Sequence, residues 1–219
     1  LVANTTGAAN VSVGVEALQA NTTASQNVAL GYQASYASNS GQNVSIGYQS
    51  MLDTTSGGLN VAMGYRSMYE NTTGASNVAL GHSALLNNTT ASNNTAVGYT
   101  AGYSNTTGAQ NTFIGRQASY RNTTGLYNSS FGNDALYYNT TGGYNTALGA
   151  AALNNNTTAS GNTAVGYVSL TSNTTGTNNV ALGSNSLQPN TTGSQNTALG
   201  KGASASNSTG SNNTSVGFE

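Results

Sequence analysis

The sequence of 219 residues contains no cysteine, and Pro189 is its only proline. Without cysteine the chain can form neither disulfide bonds nor thiolate metal sites. Pro189 lies just before an Asn-Thr-Thr turn, where its missing N–H does not interrupt a β-ladder. Disulfide cross-links are therefore excluded, and the one residue that cannot donate to a ladder lies outside the predicted strands.

Charge is also scarce, with four Lys or Arg and five Asp or Glu residues. Nucleic acids and anionic lipids are bound by clustered Lys and Arg, so neither partner is expected. No apolar run approaches the ~18 residues that cross a bilayer, which argues against membrane insertion.

The few ionisable residues form no recurring catalytic or metal-binding pattern. His82 is the single histidine, the carboxylates are scattered, no aspartate recurs in each repeat, and no G-K-[ST] phosphate loop occurs. A general base needs an oriented partner, and repeat calcium sites need an aspartate in every coil. We therefore expect no enzyme activity, no metal site and no cofactor, and we interpret His82 as a variable surface residue.

What the sequence does contain is a tandem repeat. Thirteen copies of one unit each begin with asparagine, and every step is 17 residues except one of 16. A constant period of this kind is typical of stacked-coil architectures. The sequence predicts an all-β fold, a parallel β-solenoid or β-roll of about thirteen 17-residue coils, with residues 1–219 as a single repeat array. The first residues of the units are Asn10, Asn27, Asn43, Asn60, Asn77, Asn94, Asn111, Asn128, Asn145, Asn162, Asn179, Asn196 and Asn213.

Positions are numbered here from that asparagine, and positions two to four predict a strand. Position two is Val, Thr or Ser, position three is almost always Ala or Ser, and position four is always apolar. Positions two and four share one face of a strand. Because the other face is restricted to small residues, we expect the strand to be covered on both sides. Glycine at position five permits a positive φ and ends the strand.

The rest of the unit predicts a second strand and a turn. Position eight is small and position nine is often Leu or Met, which suggests a second short strand facing the same interior. The Asn-Thr-Thr-Gly/Ala segment that follows favours a turn, since Asn tolerates left-handed backbone. The single 16-residue step shortens this segment to Asn39-Ser40-Gly41, so the missing residue is expected in the turn and not in the strands.

The asparagines at position one predict a structural ladder, because each amide can donate to and accept from the adjacent coil. Two or three sizeable apolar side chains per unit contribute roughly 1.5–3 kcal/mol each. Ordering 17 backbones costs about 1–2 kcal/mol apiece, so burial between chains is expected to help. The sequence therefore favours self-association, as an oligomer or a polymeric filament, with the small face at position three as the place of close approach.

The Asn-Thr-Thr segment also matches the N-glycosylation acceptor Asn-x-Ser/Thr. Either the segment is simply a good turn, or its asparagines carry sugars along one edge. The candidate glycosylation residues are Asn4, Asn21, Asn71, Asn88, Asn105, Asn122, Asn139, Asn156, Asn173, Asn190 and Asn207.

Tyrosine recurs in two columns and predicts aromatic rows. These rows either pack over exposed loops or form a platform for cell-surface carbohydrate or lateral contacts. Position six carries Tyr32, Tyr48, Tyr65, Tyr99 and Tyr167, and position ten carries Tyr36, Tyr69, Tyr103, Tyr120 and Tyr137.

The pentad Asn-[Val/Thr]-Ala-[Leu/Ile/Val]-Gly with a small residue three positions later, as in residues 27–34, resembles the repeat of YadA-like heads of trimeric autotransporter adhesins. The added Asn-Thr-Thr-Gly turns are similar to repeats of bacteriophage tail fibres. This resemblance implies a left-handed parallel β-roll in which three chains wind about one axis as a homotrimer, acting as an extracellular stalk or adhesive head. The 17-residue period is longer than the usual adhesin unit.

Two functions follow from these observations. The first is a structural or adhesive fibre, located outside the cell, on a cell surface or on a virion. The alternative is an ice-binding solenoid, because a regular threonine ladder on a low-charge β-face suits that role, although adjacent threonines point to opposite faces of a strand. Leu1 and Glu219 both fall inside a unit, so we expect a segment of a longer chain or a subunit whose ends stack on neighbours.

Overall fold

The computed structural model describes residues 2–218, and Leu1 and Glu219, on which the expectation about chain ends rests, lie outside the described residues. The chain divides into two compact units, Leu1–Gln110 and Asn111–Glu219, which we call unit 1 and unit 2. Regular structure in the described part is β-strand throughout, and no helix there could span a membrane.

Each unit is built from three-residue strands, one per coil. Adjacent strands within a unit pair in parallel in chain order. Unit 1 contains β1 (Val11–Val13), β2 (Val28–Leu30), β3 (Val44–Ile46), β4 (Val61–Met63), β5 (Val78–Leu80) and β6 (Thr95–Val97). Unit 2 contains β7 (Thr112–Ile114), β8 (Ser129–Phe131), β9 (Thr146–Leu148), β10 (Thr163–Val165), β11 (Val180–Leu182), β12 (Thr197–Leu199) and β13 (Thr214–Val216). The all-β parallel solenoid with a 17-residue period is confirmed.

The 16-residue step leaves the sheet in register. Val28 pairs with Val44 and Leu30 with Ile46, as equivalent positions pair elsewhere. Each parallel register therefore matches repeat positions, and the missing residue is taken up in the turn, as predicted. A slip of one residue would have moved the small side chains to the wrong face.

The middle residue of each strand points into the coil. Ala29, Ala62 and Ala147 at position three have no solvent-exposed surface, while residues at positions two and four stay half-buried or exposed. Phe113, the one large residue at position three, is equally buried, and its coil carries Ser119 where most coils have Leu or Met at position nine. Side-chain volume within that coil is thus roughly conserved, which close-packed interiors require.

The predicted second strand at positions eight and nine is wrong. These side chains do face the interior, and Ala152 and Leu153 are fully buried, but the chain runs through turns there. Position nine is left-handed, with φ of 51° at Leu153 and 50° at Met68. A residue in that conformation cannot belong to a strand.

Left-handed residues are a regular part of each coil, at positions seven, nine and seventeen as well as at the glycine of position five. Their N–H groups reach the adjacent coils. In the coil of β4, Arg66 N donates to the Tyr48 carbonyl of the preceding coil and Met68 N donates to the Ala84 carbonyl of the following one, both at 2.9 Å. These bonds offset a conformation that costs a non-glycine residue about 1–2 kcal/mol.

Candidate functional site

The position-one asparagines join three parts of the backbone. In unit 2, the Asn145 Oδ1 accepts a hydrogen bond from the Asn162 backbone N–H at 3.0 Å, and Asn145 Nδ2 donates to the Ala159 carbonyl at 2.9 Å. In unit 1, Asn60 Oδ1 likewise accepts a hydrogen bond from the Asn77 backbone N–H at 2.9 Å, and Asn60 Nδ2 donates to the Gly74 carbonyl at 2.9 Å. Each amide therefore ties its strand to the turn of its own coil and to the next strand, and these side chains are buried from Asn27 to Asn196.

Direct amide-to-amide bonds occur in both asparagine columns. At position one they are 3.2 Å long, from Asn77 Nδ2 to Asn60 Oδ1 and from Asn145 Nδ2 to Asn128 Oδ1, so the predicted ladder is present there.

The asparagines of the Asn-Thr-Thr segment form a second ladder with shorter bonds. Asn88 Nδ2 donates to Asn71 Oδ1 at 2.9 Å and to the Ala91 carbonyl at 3.0 Å, and Asn139 and Asn156 repeat the pattern in unit 2. The sequence analysis interpreted this column as a turn or a glycan acceptor and missed its ladder. The 17-residue recurrence of this second asparagine was the available signal.

Burial bears directly on the glycosylation hypothesis. The side chains of Asn21, Asn71, Asn88, Asn105, Asn122, Asn139, Asn156, Asn173 and Asn190 have no exposed surface, whereas Asn4 and Asn207 are partly exposed. A sugar on Nδ2 would replace one of its two hydrogens and would have no path to solvent. Of the eleven candidates only Asn4 and Asn207 remain sterically plausible acceptors, and there glycosylation stays a prediction.

Two successive coils break this second ladder, with Ser38 and Thr54 in place of asparagine, and the second of them allows a direct test. Thr54 replaces asparagine there, is fully buried, and lies 3.5 Å from Asn71 Nδ2, a much longer contact than the 2.9 Å between Asn88 and Asn71. We expect Thr54→Asn to raise the free energy of unfolding by about 1 kcal/mol, since it restores a buried amide bond. Urea denaturation measures the change. Thr73→Asn, on an exposed threonine, is the control, and a loss of stability in Thr54→Asn alone would show that the site has no room for the ladder.

The alternating side chains at positions two and four form what we call the outer sheet face. It carries Val, Leu, Ile, Met, Phe, Thr and Ser, with no charged residue in either row. In unit 1, Val13 is 60 % and Met63 41 % exposed, and in unit 2 Leu148 is 48 % exposed. Each unit thus presents an uncharged, largely apolar sheet surface to solvent.

One expectation about the strands is corrected and the other stays a prediction. The strands are covered on one side by their own coil, and cover on the outer sheet face would have to come from another chain. The small residues at position three, expected where chains approach each other, fill the interior of their own chain. Position three takes small side chains because the interior of the coil is narrow. From the sequence alone, this reason could not be distinguished from close packing between chains.

The tyrosine column at position six forms a stacked row in unit 1. Ring centroids are 5.2 Å apart from Tyr32 to Tyr48, 5.4 Å from Tyr48 to Tyr65, 4.8 Å from Tyr65 to His82 and 5.2 Å from His82 to Tyr99. His82 is exposed, as expected, and it continues the row in place of tyrosine. Because the rings cover one another's faces, a sugar would meet their edges and not the flat apolar faces on which sugars stack.

The described stacking at position ten joins a pair of tyrosines. A further stacked pair, at position seventeen, was not predicted from the sequence. Tyr120 and Tyr137 stack at 5.2 Å, and Tyr137 meets Tyr138 edge to face at 4.7 Å. Tyr127 and Tyr144, at position seventeen, stack at 4.9 Å. Their equal spacing in the sequence was the available signal.

A polar chain along position seven was also missed. Gln33 Nε2 donates to Glu16 Oε2 at 2.6 Å, Gln49 Nε2 to Gln33 Oε1 at 2.8 Å, and Arg66 Nε to Gln49 Oε1 at 2.9 Å. Two glutamines thus connect a carboxylate to a guanidinium across four coils. The residue types at position seven vary, so no column identity revealed the chain.

Acidic side chains are few among the described residues and are scattered along the chain. Partial burial raises the pKa of the Asp53 carboxyl. Among residues 2–218, no three His, Asp or Glu side chains gather closely enough to hold a metal ion. The arrangement is suited to stacking and association.

Comparison with known proteins gives no further assignment, because no protein-family model matches the chain and no curated protein is significantly similar to it. The fold itself defines the class, a parallel β-solenoid repeat protein compatible with a structural role.

Proposed function

We propose that this chain is a structural module of an extracellular fibre, and that copies associate through the outer sheet face. The observation that carries this proposal is an apolar sheet face left exposed by a single chain, with Met63 41 % and Leu148 48 % exposed. Monomeric soluble proteins rarely expose continuous apolar surfaces of this kind, which are typical of interfaces.

The periodicity of the face favours a second copy as the partner. Its side chains recur once per coil, at the spacing of about 4.8 Å that separates paired strands. A surface with the same repeat can match it row by row, and another copy of the chain has that repeat. Apolar burial at ~25 cal/mol per Å² then stabilises both coils that meet.

The absence of charge on this face supports the same proposal. A charged residue in either row would be desolvated at the interface at high cost. The resemblance to trimeric adhesin heads and tail fibres favours three chains, a location outside the cell or on a virion, and an adhesive or stalk role. A fibre of this kind needs hydrogen-bond ladders and no catalytic group.

The proposal predicts a specific effect of Leu148→Lys on association. The full chain is expected to sediment at equilibrium as an oligomer, and Leu148→Lys is expected to weaken association at least tenfold, because a charge replaces an apolar contact. Thr158→Lys, which adds the same charge at an exposed threonine of the same unit, is the control. A monomeric parent chain, or equal weakening by both variants, would contradict the proposal.

Ice binding has weaker support. The first threonine of each pair uses its hydroxyl hydrogen within the protein, as Thr72 Oγ1 does towards the Thr89 carbonyl at 3.0 Å. The second threonine, such as Thr73, is exposed. A coil of this kind exposes the hydroxyl of its second threonine alone, and two coils have no threonine at that place, so a flat array of paired hydroxyls is not formed there.

A further inference from the structure

A groove runs along several coils of unit 2, separate from the outer sheet face. One wall carries Arg121, Tyr138 and Asn155, the eleventh residues of three successive coils. The other wall carries Thr140, Thr157 and Thr174, the thirteenth residues. The groove has a volume of about 440 Å³, within the range of small-ligand sites.

The threonine wall can accept hydrogen bonds but has already used its donors. Thr140 Oγ1 donates to the Thr157 carbonyl at 3.0 Å, and Thr157 Oγ1 donates to the Thr174 carbonyl at 3.1 Å. A hydroxyl has one hydrogen and two lone pairs, so each of these oxygens offers only lone pairs to the groove. A ligand that fits this wall must bring its own donors, spaced once per coil.

The opposite wall supplies a cation and an aromatic ring. Arg121 is exposed, and its guanidinium carbon lies 5.0 Å from the centroid of the Tyr138 ring. Within residues 2–218 the ion pair that forms is Arg116 with Asp134 at 3.6 Å, which leaves the charge of Arg121 without a carboxylate partner. Arginine binds carboxylates through two parallel N–H donors, and such charge-assisted bonds are the stronger kind.

Position eleven varies from coil to coil, and the groove lies where it combines a cation with an aromatic ring. Outside the groove this position is Ala20, Ala37, Asp53, Glu70, Asn87, Ser104, Ser172, Pro189 and Ser206. Arg121 and Tyr138 are its one arginine and its one tyrosine, and they stand in successive coils. The threonine wall continues unchanged through these coils. This combination of side chains therefore occurs at one place along the repeat.

We propose that this groove binds a linear acidic glycan lying along the stacking direction. Its carboxylate pairs with Arg121, its hydroxyls donate to the threonine oxygens, and a sugar C–H face contacts the Tyr138 ring. The Asn155 amide adds one donor group and one acceptor. The proposal does not depend on association through the outer sheet face, and it gives a fibre a defined place of attachment.

The test is a titration of the full chain with a hexasaccharide of alternating glucuronate and N-acetylglucosamine, followed by ligand-observed saturation-transfer NMR. We expect saturable binding, and Arg121→Gln is expected to weaken it about tenfold, as loss of a charge-assisted bond does. Arg66→Gln, which removes an arginine from unit 1, is the matched control and should bind like the parent. Far-UV circular dichroism checks that both variants fold.

Three outcomes would overturn the proposal. No saturable binding at millimolar hexasaccharide would do so, and so would equal weakening by Arg121→Gln and Arg66→Gln. Equal binding of a hexamer of N-acetylglucosamine or of a poly-glutamate peptide would show that the carboxylate or the sugar is not recognised. A Tyr138→Ala variant that loses affinity while keeping the preference for the acidic sugar would support the ring contact.

Discussion

Replacing Asn145 with alanine is expected to lower the free energy of unfolding by about 2–4 kcal/mol. The side chain is fully buried, accepts a hydrogen bond from the Asn162 N–H and donates one to the Ala159 carbonyl. Alanine leaves the Asn162 N–H unpaired in the interior, at about 1–3 kcal/mol. It also removes one of the two hydrogen bonds at the Ala159 carbonyl, worth about 1 kcal/mol, while Asn156 Nδ2 still donates to that oxygen. Urea denaturation measures the loss.

The matched control is Asn213→Ala, in the same column of the same unit. Asn213 is exposed, and its Nδ2 donates to Asn196 Oδ1 at 3.0 Å. Removing its side chain therefore leaves no buried backbone N–H of the described residues without a partner. We expect a change below about 1 kcal/mol, as for an exposed hydrogen bond. If both variants lost the same stability, the asparagine column would owe its regularity to something other than buried hydrogen bonds.

Gly149→Ala is expected to cost about 3 kcal/mol or more, or to prevent folding of unit 2. Gly149 has a φ of 135°, and a Cβ built there would lie 2.5 Å from the Gly166 carbonyl oxygen of the next coil. That oxygen belongs to the stacked backbone and cannot rotate away as a side chain could. Backbone strain and overpacking contribute about 1–3 kcal/mol each.

Substitution of a glycine at position seventeen serves as the control. It distinguishes a steric clash between coils from the loss of glycine's backbone flexibility. Gly161 has a φ of 74°, and its built Cβ meets the Asn178 side-chain oxygen, which can move. Asn93 occupies the same position in another coil with a φ of 61°. Gly161→Asn should therefore fold with nearly parent stability, and thermal unfolding of the two variants side by side checks the contrast. Similar losses in both would mean that glycine acts through flexibility and not through close approach of the coils.

The strands, their parallel pairing and their register were predictable because the period is visible in every column. Asparagine, glycine and one apolar residue recur with fixed spacing, and stacking identical coils satisfies them all at once. The accommodation of the 16-residue step followed from the same logic, as the pairing of Val28 with Val44 demonstrates.

The left-handed segments were not predictable from residue type. Leucine and methionine seldom adopt the positive φ that Leu153 and Met68 have here. The preference for Leu or Met at position nine therefore suggested a strand. Hydrogen bonds to adjacent coils, which local sequence does not reveal, select the conformation. The same limit applied to position three, where small residues reflect a narrow interior.

The candidate sites followed from sequence only in part. The tyrosine column was visible, but the stacking of Tyr65 on His82 at 4.8 Å, which covers the ring faces, requires coordinates. The groove of Arg121 and Tyr138 escaped notice because position eleven varies from coil to coil, so no repeating column marks it. In a repeat protein, departures from the pattern indicate individual sites, while the pattern itself describes the scaffold.

The most direct test of association through the outer sheet face uses the absence of cysteine, which allows one nitroxide label at one introduced thiol. Pulsed electron paramagnetic resonance would compare labels at Thr146→Cys, an exposed residue of the outer sheet face, and at Thr158→Cys, an exposed residue of the Asn-Thr-Thr segment. Our account predicts a short, narrow distribution of distances between chains for the first label and a longer, broader one for the second. The absence of dipolar coupling between chains at Thr146, or equal distances at both sites, would contradict it.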